Sequence, residues 1–81
     1  MPSQFEKLAH PDNADAVTPN NSTDLTNKGI LYVGTGGNIS VITAGEQTVT
    51  FSNVPDGAFI PVSIARVNAT GTTASNILVL Y

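Results

Sequence analysis

Cysteine is missing from the chain altogether, so no disulfide can staple it. Basic residues are almost missing too. Lys7, Lys28 and Arg66 are the whole complement, set against six acids for a net charge of −3. Nucleic-acid affinity needs several Lys/Arg–phosphate contacts, and three scattered cations form no such patch. No apolar run approaches the ~20 residues of a membrane-spanning helix, and no polybasic or lipidation signal marks a membrane surface. The start, MPSQFEKLAH, lacks the basic leader and long apolar core of a secretory signal. The expectation is a soluble protein made in a cytoplasm, with no nucleic-acid and no membrane partner. Read against that, four Asn-x-Ser/Thr sequons at Asn20, Asn21, Asn38 and Asn68 are accidents of an Asn/Ser/Thr-rich composition.

What size remains is small. A chain of 81 residues is one domain at most, and such a domain buries only about 60% of the surface its unfolded form exposes. Small domains offset that with disulfides, metals or association. The single histidine, His10, sits in a polar leader beside Pro11, so a metal site is poorly supplied. Association with further copies is the route left.

Chemistry is equally thin. The glycine cluster Gly34-Thr35-Gly36-Gly37 follows a short apolar run, where a phosphate loop would lie. A Walker loop ends in Gly-Lys-Ser/Thr and a dinucleotide loop opens a helix. Here Gly37 is followed by Asn38 and a second apolar run. The cluster is read as a hairpin turn, its glycines serving geometry. The acids Glu6, Asp12, Asp15 and Asp24 fall in the leader, and Glu46 and Asp56 in turns, without the shared cleft that acid–base catalysis needs. A serine or threonine nucleophile would have only His10 as base. No catalytic residue, cofactor or metal is expected.

The composition shifts near residue 28. Residues 1–27 hold three of the five prolines and four of the six acids, and read as an extended arm with Phe5, Leu8, Val17 and Leu25 as spaced apolar anchors and Pro19 beside them. Residues 28–81 read as a β-domain. Ile30–Val33 and Ile77–Tyr81 are apolar at every position, whereas Thr48–Ser52 alternates as a half-buried strand does. Ala44-Gly45-Glu46 fits a hairpin, and Pro55-Asp56-Gly57 a turn whose glycine accepts positive φ. Thr70–Ser75, with Gly71, is a last loop. Pro61 cannot donate to a ladder, which places its segment at an edge or a bulge. The doubly apolar first and last strands are either central in the sheet or covered on one face by another subunit. About five or six strands make a small antiparallel β-sandwich or barrel, all-β, carrying the extended arm. Phe51, Tyr32 and Tyr81 are expected to pack, leaving Phe59 as the aromatic free for a fibre or surface contact.

Four segments together resemble one family: AVTP (16–19), ILYVGTGGNISVIT (30–43), TVTFSNVPDGAFIPVSIARV (48–67) and ATGTTASNILVLY (69–81). They are similar, in order and spacing, to the spike-base proteins of tailed bacteriophages and of the gene transfer agent of Rhodobacter-like bacteria. Residues 1–15 match nothing in that pattern. The resemblance implies a non-enzymatic virion protein on the capsid exterior, a homo-oligomer with a pentamer favoured over a trimer. Its implied partners are the major capsid protein, further copies of itself and a spike fibre protein. The arm would then contact capsid or neighbouring subunits. A capsid cement protein and a carbohydrate-binding attachment module are the two rival readings.

Overall fold

The computed structural model describes residues 11–81; Phe5, Leu8 and His10 lie outside them. The described residues form six strands and no helix: β1 (Ala14–Val17), β2 (Gly29–Thr35), β3 (Gly37–Thr43), β4 (Thr48–Val54), β5 (Ala58–Val67) and β6 (Ser75–Leu80). All pairings are antiparallel, in the order β1-β6-β2-β5-β3-β4.

One long ribbon organises this sheet. Its closed end is the Ala44–Gln47 turn, where the Thr43 amide donates to the Gln47 carbonyl at 2.8 Å and the Glu46 amide to the Thr43 carbonyl at 2.9 Å. That is the hairpin expected at Ala44-Gly45-Glu46, with Glu46 rather than Gly45 taking the positive φ (67°). From there β3 runs against β4 as far as Gly37↔Val54. The same ladder resumes in β2 against β5 at Val33↔Ala58 and Leu31↔Ile60. Between them both strands bend together.

The bend is where the glycine cluster lies, and it corrects the hairpin expected at Gly34–Gly37. β2 and β3 are not neighbours, because β5 stands between them. Their backbone groups already have partners in β4, β5 and β6, so nothing is left for them to pair with each other. The glycines instead permit close approach. A Cβ on Gly36 would lie 2.1 Å from the Val54 carbonyl oxygen, and one on Gly34 2.7 Å from that of Asn76. Opposite them Gly57 takes φ 77°, donates to the Val33 carbonyl at 2.7 Å, and lets Asp56 accept the Gly36 amide at 2.6 Å. Bends and glycine kinks of this kind carry strands round the corner of a sandwich.

Past the corner, β3 meets the far half of β5 through Val41↔Val67 and Ile42↔Arg66. β5 is thus shared, its first half paired with β2 and its second with β3. The register slips where Ile60 and Ile64 of β5 oppose Leu31 and Gly29 of β2, and Pro61 lies in that slip, the bulge its missing N–H demanded. Val62, patterned to face inward with Ile60 and Ile64, is 39% exposed there. Folding the ribbon encloses Leu31, Val33, Ile39, Val41 and Ile64 at 0% exposure. A flat sheet has no second layer to achieve that.

Residues in the polar leader complete the sheet. β1 has no apolar alternation in its sequence, yet it pairs along β6 from Ala14↔Leu80 to Val17↔Ile77. Asn13 and Tyr81 exchange backbone bonds beyond it, at 3.2 and 2.9 Å. The following chain lies beside the far half of β5: the Asn20 amide donates to Val67 at 2.8 Å and the Leu25 amide to Ala65 at 2.7 Å. What the sequence presents as a free string is, from residue 13 to 25, hydrogen-bonded to its own sheet. The reason is tertiary: β6 and β5 each offer an otherwise unpaired row of backbone groups.

Candidate functional site

Residues paired across an antiparallel ladder share a face, so the registers sort the sheet into an inside and an outside. On the inside of the first half stand Leu31, Val33, Ile77 and Val79, all buried. On the outside the rows are Ala16–Leu78–Tyr32–Phe59 and Ala14–Leu80–Ile30. Every side chain in those two rows is apolar or aromatic, and none is charged. Tyr32 and Phe59 meet with ring centroids 5.2 Å apart, tilted by 57°.

Phe59 is 59% exposed, the most open of the exposed large hydrophobics among the described residues. It also borders a groove of about 280 Å³ between β4 and the first half of β5. Phe51, Val54, Pro55, Ile60 and Pro61 line that groove with it, again without a charge. No strand pairs with β5 on this side over Ala58–Val62 among the described residues, and β4 is the sheet's other edge. The outer face and the groove therefore adjoin at Phe59, in an uncharged surface that is apolar apart from Ser52 and Asn53 at the groove.

A second cavity, about 440 Å³, lies between β1 and the segment 18–27 and is lined in part by Asp15 and Asp24. Both carboxylates are engaged. Asp24 accepts from the Arg66 guanidinium at 2.8 Å, and Asp15 accepts the Tyr81 hydroxyl. That hydrogen bond, then partial desolvation and the Asp15 charge, raise the Tyr81 phenol above its ordinary 10.0, against a smaller opposing bond from Asn27. No group of three metal-ligating side chains occurs among the described residues.

The residues singled out in the sequence are placed as follows. Val17 lies in the core cluster and Leu25 packs against it, so both anchor the chain to its own domain; Pro19 is half-buried. Gly34, Gly36 and Gly37 are at the corner, while Gly57 and Gly71 (φ 89°) are in turns. Asn21 was not foreseen. Its side-chain oxygen accepts the Ala69 and Thr70 amides at 2.9 and 3.0 Å, and its nitrogen donates to the Thr70 hydroxyl at 2.9 Å. Read as part of a sequon, it clasps the 68–73 loop to the leader. The outer apolar rows did carry a signal, in the two strands apolar at every position.

A solved structure shares this fold and much of this sequence. It is a chain in a structure described as the capsid of a native GTA particle computed with C5 symmetry, 36% identical to this protein. The alignment covers 91% of this chain and 88% of that one, with a TM-score of 0.81. The chain belongs to the family of that GTA capsid chain. It is a capsid-related protein. No protein-family model and no curated protein matches it.

Proposed function

We propose that this protein is a non-enzymatic virion component that forms an oligomeric base on the capsid exterior and anchors a head spike or fibre. The observation that carries the reading is its 36% identity to a GTA capsid chain over 91% of its length. The shared spike-base motifs support the finer role, and the C5 symmetry used for that particle is compatible with a pentamer at a vertex. The surface supports it as well: charge is scarce in the sequence, and the two carboxylates that share a cavity, Asp15 and Asp24, are both engaged by partners. Repeated copies on a particle multiply weak contacts, because docking of one subunit raises the effective concentration of the next. The major capsid protein and a fibre protein are the partners in this reading.

Electron microscopy of particles purified with and without this gene tests it. Vertex projections that vanish from otherwise intact heads are the expected result. Projections that persist on heads which crack or leak would assign the protein to capsid cement instead.

A further inference from the structure

We infer that the outer face of β1, β6, β2 and the first half of β5, together with the groove beside Phe59, is the surface by which one copy of this chain packs on another. The inference rests on the homo-oligomer reading above and names the surface that serves it.

Size is the first argument. The two rows cover three to four strands at about 4.8 Å spacing and about 14 Å along them, on the order of 250 Å². That approaches the ~300 Å² at the lower end of the largest patch a soluble monomer ordinarily leaves open. The groove lined by Phe51, Val54 and Pro61 continues it, toward the ~800 Å² per partner of a stable protein interface. A small ligand needs no such area.

Composition decides between partners. Interfaces formed by docking on a separate particle are about as polar as the rest of a protein's surface, whereas permanent contacts between copies are more apolar and depleted of charge at their centre. No charged side chain stands in the Ala16–Leu78–Tyr32–Phe59 row, in the Ala14–Leu80–Ile30 row, or around the groove. Phe59, aromatic and 59% exposed at the junction of face and groove, has the form of an interface anchor. A chain of 81 residues without cysteine also has the most to gain from covering such a face permanently.

Light scattering coupled to size exclusion, across a dilution series, tests this on the full-length protein. Wild type should run as a multiple of 8.4 kDa. Phe59→Asp should drop to the mass of one chain while keeping its β-sheet circular dichroism. Ala16→Arg, an exposed position at the opposite end of the same row, should do the same and stands in if Phe59→Asp does not fold. Thr50→Asp, on the outside of β4, should keep the wild-type mass. Monomeric wild type would overturn the inference and the homo-oligomer reading with it. Oligomeric Phe59→Asp and Ala16→Arg proteins would overturn the surface assignment alone; if they also failed to bind particles, the face would belong to the capsid contact.

Discussion

Tyr32, Leu78 and Phe59 stand side by side on the outside of one half of the folded ribbon. The corresponding places on the other half, outside β3 and β4, hold Ile42 paired with Thr48 and Ser40 paired with Thr50; both threonines are exposed, while Ser40 is buried beneath the 68–73 loop and its hydroxyl accepts from the Asn68 side chain. The insides of the two halves are alike: Leu31 and Val33 on one, Ile39 and Val41 on the other, all at 0% exposure. Strand formation does not explain the difference outside, because threonine suits a pleated surface as well as isoleucine or tyrosine does. The exposed Thr48 and Thr50 hydroxyls have their hydrogen bonds met by water. Apolar groups facing water gain nothing by being there. The shared inside answers to the protein's own core, and the contrasting outside answers to what each half faces.

Substitutions can break that comparison at its foundations. Gly36→Ala should have the largest effect, since a Cβ 2.1 Å from the Val54 carbonyl forces the corner apart and separates the halves; loss of soluble protein or of dispersed amide resonances is the expected readout. Leu31→Ala comes next. Truncating a buried leucine costs about 2–5 kcal/mol, a large part of the ~5–15 kcal/mol that holds a domain together. Thermal circular dichroism should therefore show a lost or strongly lowered transition, while Tyr32→Ala, one residue along and facing out, melts closer to wild type. Equal losses at both positions would abolish the distinction between inside and outside.

Smaller changes sharpen it. The second half of the sheet is covered along β5 by the leader, which Asn21 fastens through three hydrogen bonds. Asn21→Ala should lower the urea midpoint by an amount worth about 1 kcal/mol, with faster proteolysis in residues 18–27. The least effect is at Tyr81. Its raised phenol titration means the folded state favours the protonated hydroxyl. The bond to Asp15 is thus fully present from neutral pH up to about 10, the ordinary tyrosine value, and is lost as pH climbs through the raised one. The melting difference between wild type and Tyr81→Phe should be constant over the first range and close over the second.

Much of the fold was legible in the residues. Thr48–Ser52 reads as a strand because it alternates, Ala44–Glu46 as a hairpin because it is short and lies between two runs, and Pro61 as an edge or a bulge because it has no N–H to give. The two doubly apolar runs, β2 and β6, do lie centrally, paired with each other. β1 was illegible: Ala-Asp-Ala-Val has one large apolar residue, and it is a strand only because β6 presents an edge. The apolar outer surface was half legible. Its β2 and β6 rows show as runs apolar at every position, but its continuation through Phe59 into the groove depends on how β4 and β5 diverge at the corner.

Local chemistry by itself determined the strands after β1 and the turns at Ala44–Gln47 and Pro55–Gly57, because alternation, proline and glycine act within a few residues. Only the tertiary structure decided that a glycine cluster would be a corner instead of a hairpin, since that depends on which strands compete for the same backbone donors and acceptors. It alone decided that part of the leader would close the sheet, and that Tyr32, Leu78 and Phe59 would stand together on one outer face.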